Sequence, residues 1–146
     1  MRILVINGPN LNMLGYRQVE IYGTEDYQQL VRSIQADADA FGLDVEIRQS
    51  NHEGTLIDWL HQAEDAGFHG VVLNAGALTH YSYSLYDAVL SISLPVIEVH
   101  LTDLKTREES FRSHSVIRPA CHKHFEGDGI GSYRQALAAL KNCLRA

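Results

Sequence analysis

The sequence predicts an α/β domain with a doubly wound, five-stranded parallel sheet, and three observations carry that reading. Short apolar runs alternate five times with amphipathic helical patterns. Strands separated by helices pair in parallel through right-handed crossovers. A length of 146 residues with 45% hydrophobic content suits one domain, spanning 1–146, with a sizeable core.

The elements follow in order. Ile3 to Ile6 is a buried strand that runs into Asn7-Gly8-Pro9-Asn10, a turn in which proline leaves no room for a helix. The long polar loop that follows carries Asn12, Arg17 and Tyr22 and closes at Gly23; loops of that length serve as lids or binding segments. Thr24 is placed as the cap of a helix whose apolar face holds Tyr27, Leu30, Val31, Ile34, Ala38 and Phe41. Glu25 and Asp26 then fall in its first turn, where the helix dipole favours them, and Gly42 ends it. Leu43 to Ile47 is the second strand, and a helix with Leu56, Ile57, Leu60 and Ala63 inward follows the polar junction at 49–54. Gly70 to Leu73 is the third strand, Asn74-Ala75-Gly76-Ala77 its loop, and Thr79 or His80 opens a helix carrying Tyr83, Leu85, Ala88, Val89 and Ile92. Pro95 starts the fourth strand, Val96 to Val99; residues 100–114 form a second long polar loop, and Ser115 to Arg118 is read as a short fifth strand. Ile130 to Leu144 is the last helix, with Tyr133, Leu137, Ala138 and Leu140 buried. Helices on both faces predict the flavodoxin-like strand order 2-1-3-4-5, which gathers the loops after strands one, three and four at one crevice.

Composition narrows the function. A net charge of −6 argues against a nucleic-acid partner, though a few arginines in one cleft can still dominate the local field for an anionic substrate. No apolar run reaches membrane-spanning length, and the chain enters its first strand without a signal-peptide pattern, so a cytoplasmic protein is expected. Cys121 and Cys143 make neither a disulfide framework nor a metal site, and His122 and His124 lack a carboxylate shell. Neither GxxxxGK[ST] nor GxGxxG occurs, so nothing cradles a di- or triphosphate. No metal and no cofactor are expected.

The crevice loops carry the chemistry. Glu98 and His100 point to the same face of the fourth strand, where a carboxylate fixes the imidazole tautomer and raises its basicity, as suits a general acid; a structural ion pair is the competing reading. Tyr22 stands five residues after Arg17, whose guanidinium favours a tyrosinate able to take a proton beside a carbonyl; a packing anchor for the loop is the alternative. Asn12 is either a donor to a developing oxyanion or a turn-forming asparagine. The run from Asn74 to His80 leads into a helix N-terminus suited to a carboxylate, and Arg112 adds a charge-assisted contact. Arg107 is a second candidate, although arginines of exposed loops more often face solvent.

NGPNLN, the later EIYG, QSNHEG, NAGALTH, PVIEVHL and FRSHS together resemble the type II 3-dehydroquinate dehydratases, in order and over nearly the whole chain. The resemblance implies a flavodoxin-like subunit, assembly into a homododecamer (a tetramer of trimers), and cofactor-free dehydration of 3-dehydroquinate to 3-dehydroshikimate by anti elimination through an enolate. It implies Tyr22 as base, His100 as acid, Arg17 sustaining the tyrosinate and Asn12 positioning an enolate-stabilising water. Asn74, His80, Leu101, Thr102 and Arg112 are the implied substrate ligands, and Asp87 the residue that reaches a neighbouring subunit's site. Gln18 and Val19 stand where an acidic residue and proline are usual, Tyr86 where arginine is frequent, and the segment from Arg107 to Arg112 is one residue longer. Two other classes remain open: a flavodoxin-like binding module for small carboxylates, and a hydrolase using His100 and a serine, weakened by the lack of a nucleophile-elbow pattern.

Overall fold

The computed structural model describes residues 1–16 and 18–146. Five parallel strands, β1 (Arg2–Asn7), β2 (Asp44–Gln49), β3 (Gly70–Asn74), β4 (Val96–Val99) and β5 (Lys123–Phe125), form one sheet in the order β2-β1-β3-β4-β5. The helices are α1 (Val19–Tyr22), α2 (Tyr27–Phe41), α3 (Glu53–Gln62), α4 (Tyr83–Leu90) and α5 (Gly131–Arg145). Among the described residues no helix is long and apolar enough to cross a membrane.

Alternation along the central strands splits the core in two. Ile3, Val5, Val72, Ile97 and Val99 face α2 and α5, meeting Leu30, Ile34, Leu137 and Leu140. Leu4, Ile6, Val71, Leu73 and Val96 face α3 and α4, meeting Leu56, Leu60, Leu85 and Val89. Both faces of β1, β3 and β4 are therefore closed to water, which is why these strands read as unbroken apolar runs.

Several expected boundaries move, each for a local reason. Asp26, not Thr24, caps α2: its carboxylate accepts the Gln29 amide at 2.8 Å while the Gln29 side chain accepts the Asp26 amide at 2.7 Å. This reciprocal capping box satisfies two otherwise orphaned donors. Neither Thr79 nor His80 opens α4; residues Gly76–His80 form a 3₁₀ turn, and Ser82 caps the helix by accepting the Leu85 amide. With that start Tyr83 turns outward and is 69% exposed. In α5 Ala136 is buried where Ala138 is only half-buried. The fifth strand is 123–125 and not 115–118: Pro119 sits in a 3₁₀ turn over Arg118–Ala120, and Ser115 spends its hydroxyl on Thr79 and the Arg118 amide.

The last helix locks the sheet's switch point. The Tyr133 hydroxyl, with its side chain wholly buried, donates to Asn7 Oδ1 at 2.6 Å and accepts from Asn74 Nδ2 at 2.8 Å. Asn7 and Asn74 are register partners at the ends of β1 and β3. Just beyond them the two loops press together: the Gly8 amide donates to the Asn74 carbonyl at 2.7 Å, and a Cβ on Gly8 would lie 2.7 Å from the Ala75 carbonyl oxygen. A Cβ on Gly76, whose φ is +58°, would lie 2.8 Å from the Pro9 carbonyl oxygen. Only glycine permits an approach that close from both sides.

Replacing Tyr133 with Phe keeps the packing but orphans Asn7 Oδ1 and Asn74 Nδ2. The expected loss is about 1–3 kcal/mol. Urea unfolding checks it: the midpoint falls while the slope stays constant, and an unchanged midpoint overturns the assignment.

Candidate active site

The loops after β1, β3 and β4 enclose a cavity. The first supplies Pro9, Asn10, Leu11, Leu14 and Tyr22; the second Asn74, Gly76, Ala77 and His80; the third His100, Leu101, Thr102, Leu104, Arg107 and Arg112. Of the residues singled out in the sequence, Tyr22, Asn74, His80, His100, Leu101, Thr102 and Arg112 meet here. Arg17 lies outside the described residues.

One wall is built on Glu98, which is 0% exposed. Its Oε1 accepts from His100 Nε2 at 2.6 Å and from the Thr79 hydroxyl at 2.9 Å, and its Oε2 accepts from Arg118 Nε at 2.8 Å. Burial alone would raise this carboxyl. Its bonds to His100 and Arg118, with the Ser115 hydroxyl adding to them, outweigh burial and bring it down to about 2. Glu98 is therefore an anion at any working pH and acts only as an acceptor. It follows that His100 Nε2 carries a hydrogen, and that Nδ1 is the nitrogen left to exchange a proton with a ligand. Ser115, 2.8 Å behind Thr79, is the donor of that pair, because the Thr79 hydrogen goes to Glu98.

His80 stands on the second loop with Nδ1 2.7 Å from the His114 carbonyl. A carbonyl only accepts, so Nδ1 carries the hydrogen and Nε2 of the neutral ring is an acceptor. Burial lowers the pKa of His80; the His114 carbonyl opposes that, and His100, Arg112 and Arg107 reinforce it. His80 is thus a neutral hydrogen-bonding group, and Phe111 holds its ring edge-on at 5.7 Å between centroids.

Tyr22 also lines the cavity. Arg107 Nη1 donates to its hydroxyl at 3.0 Å, and the guanidinium carbon lies 5.3 Å from its ring centroid. Arg107, the second candidate beside Arg112, thus turns inward and does not face solvent as loop arginines more often do. Nothing in its immediate neighbours marks that turn, since its partner lies on another loop. Arg112 also lines the cavity, with its Nε 3.2 Å from Glu109 Oε2.

Three expected positions fall differently. Asn12 is exposed and outside the cavity, with Oδ1 3.4 Å from Gln49 Nε2; the asparagine that lines the cavity is Asn10. The turn explains the change. Asn10 takes a left-handed conformation at φ 69°, and a 3₁₀ turn over Leu11–Met13 follows. With three residues per turn, burying Leu11 swings its successor toward solvent. Asn74 does line the cavity, but its amide is held by Tyr133 and by the Gly76 amide at 3.1 Å, so it braces the loop. Asp87 is exposed on α4 and takes no part in this chain's own cavity.

Among the described residues the lining holds two guanidinium groups and no carboxylate, in a chain whose net charge is −6. Such a pocket attracts anions. Among the described residues no three His, Cys, Asp or Glu side chains converge in a way that could hold a metal ion. Cys121 sits beside Glu98 and Arg118, its thiol pushed up to about 12 by burial and then by Glu98, and donating to the Ile117 carbonyl.

Comparison with known proteins places this geometry in a family. The family model described as dehydroquinase class II matches residues 1–141. A protein of Caldicellulosiruptor saccharolyticus named 3-dehydroquinate dehydratase is 49% identical over 143 residues, covering 98% of each chain. One of the same name from Thermus thermophilus is 51% identical over 142 residues, covering 97% of this chain and 95% of its own. The crystal structure of a type II dehydroquinase from Butyrivibrio crossotus superposes with a TM-score of 0.93 at 46% identity, covering 96% of this chain and 97% of the other. The likeness in sequence and in fold runs over nearly the full length that carries the tyrosine bound to a guanidinium and the histidine backed by a buried glutamate, and the chain belongs to the class II dehydroquinase family.

Proposed function

We propose that this protein is a type II 3-dehydroquinate dehydratase, converting 3-dehydroquinate to 3-dehydroshikimate and water. The observation that carries the reading is the pairing of Tyr22 with Arg107 and of His100 with Glu98 in one anion-attracting cavity. Dehydroquinate has a ketone beside the carbon that loses a proton, a hydroxyl at the next carbon and a carboxylate. One base, one enolate stabiliser, one acid and one anion seat are the parts it needs.

Tyr22, as the phenolate beside a guanidinium, removes the α-proton, and the C–H electron pair moves into the ketone to give an enolate. Asn10 is the loop asparagine placed to steady the enolate, directly or through water. The enolate collapses, the C–O bond to the hydroxyl breaks, and His100 delivers its Nδ1 proton so that water leaves. Tyr22 ends protonated and His100 neutral; one proton passed from the first to the second through solvent resets the site. Base and acid on opposite ring faces make the elimination anti. Thr102, Arg112 and the neutral His80 are suited to the substrate's carboxylate and hydroxyls. A cytoplasmic location belongs to the same proposal.

We also infer a homo-oligomer, a tetramer of trimers. Tyr81, Tyr83 and Leu90 are 63%, 69% and 57% exposed around α4. Aromatic surface of this kind is enriched at subunit contacts. Asp87 lies on the same helix, suited to reach a neighbour's cavity.

Two measurements test these readings. In heavy water, His100→Ala exchanges the substrate's α-hydrogen yet makes little product, while Tyr22→Phe does neither, each with a loss of about 10²–10⁴-fold in turnover. Proton NMR of dehydroquinate reads both; wild-type exchange by Tyr22→Phe removes Tyr22 as base. Sedimentation at micromolar concentration gives a twelve-chain particle, and a fully active monomer overturns the assembly.

A further inference from the structure

Glu98 does not serve His100 alone. Arg118 Nε donates to Glu98 Oε2 at 2.8 Å, and Arg118 Nη1 donates to Glu126 Oε1 at 3.2 Å. Glu126 is itself held, its Oε2 accepting the Leu104 amide at 3.1 Å. The backbone amide of Arg118 donates to Ser115 Oγ, which donates to Thr79, which donates to Glu98. One residue therefore reaches the buried carboxylate twice, through its guanidinium and through a hydroxyl relay. Its third nitrogen, Nη2, is buried with no partner among the described residues. The guanidinium keeps this position although one donor goes unsatisfied, so the two carboxylates hold it there.

We propose that Arg118 is a positioning residue for the dehydration: it shares the Glu98 carboxylate with His100, so that the imidazolium gives its proton to the leaving oxygen more readily than it would beside an unshared anion. The proposal rests on the reading of His100 as the acid. A carboxylate stabilises an adjacent imidazolium, and a cation on its other oxygen cancels part of that effect. Glu126 moderates the cancellation by holding the far end of the guanidinium. Among the described residues, the charged and titratable groups facing this centre are Glu98 on β4; His80 on the second loop; Arg107 and Arg112 on the third; Tyr22 in the same cavity lining; and Arg118, Cys121, His124 and Glu126 on the segment beside β4. Within this set, Arg118 and Glu126 meet the Glu98 system from outside the cavity lining, so they can be changed without touching a ligand.

Their substitutions carry opposite signs. Arg118→Met returns Glu98 wholly to His100: the His100 ring should titrate about one pH unit higher. The alkaline limb of the rate profile should move up with it, and turnover at the plateau should fall several-fold because the acid is weaker. Glu126→Gln keeps the acceptor for the Leu104 amide but removes the charge that moderates Arg118, so both readouts should move down. Ring resonances of ¹³C-histidine-labelled enzyme and kcat against pH with 3-dehydroquinate give the two readouts. A lowered melting temperature with unmoved ring titrations, or shifts of the same sign in both variants, overturns the proposal. Opposite ring shifts with a fixed rate profile instead remove His100 as the acid. If Arg118→Met does not fold, Glu126→Gln decides alone: a downward shift supports the proposal and none overturns it.

Discussion

A single buried hydroxyl joins the two halves of this sheet to its last helix. Tyr133 holds the side chains that end β1 and β3, the two strands between which the winding direction reverses. In an open α/β sheet that reversal opens the crevice where ligands bind. Here its floor is not left to the strands alone. The loops leaving Asn7 and Asn74 are set by one phenol, and two glycines let them pack backbone to backbone. Burial pushes the Tyr133 hydroxyl well above the usual phenol range, with the Asn74 bond opposing and Tyr27 adding to the rise, so it remains a neutral donor. The tyrosine that is framework and the tyrosine that is read as base are thus told apart by surroundings: one is sealed among asparagines, the other opens on the cavity beside a guanidinium.

Charge is sorted in layers. Anions dominate the chain as a whole, yet the cavity wall presents guanidinium and imidazole groups, and the Glu98 carboxylate lies buried behind the histidine it bonds. An ionised Glu98 sets which His100 nitrogen faces a ligand, and a carbonyl does the same for His80. Two histidines in one pocket therefore acquire different jobs from different acceptors, one backed by an anion and suited to carry a proton, the other kept neutral.

Strand order and the core could be read from sequence because apolar runs at β1, β3 and β4 and the 3.6-residue stripes of α2 and α5 are long enough to be unambiguous. The Glu98–His100 pair was equally visible, since strand alternation alone puts both on one face. What escaped depended on short segments. β5 is three residues long with two exposed positions, so Lys123 to Phe125 has no apolar run to announce it. That Asn10 and not Asn12 lines the cavity turns on one left-handed residue and one 3₁₀ turn, and two asparagines two positions apart look alike until that geometry is known. Arg107 bonds a tyrosine 85 positions away, a contact that no local pattern encodes. Arg118 stands at the end of the segment the sequence offers as a fifth strand, and no local pattern marks it further, because its partners lie on β4 and beyond β5.

Cys121 has a consequence of its own. The thiolate, not the thiol, reacts with peroxides and alkylating agents. Burial and the neighbouring Glu98 push this thiol up to about 12, so Cys121 is a poor source of thiolate beside that carboxylate. Thiol-directed reagents would therefore react slowly at Cys121, the cysteine beside the Glu98 carboxylate.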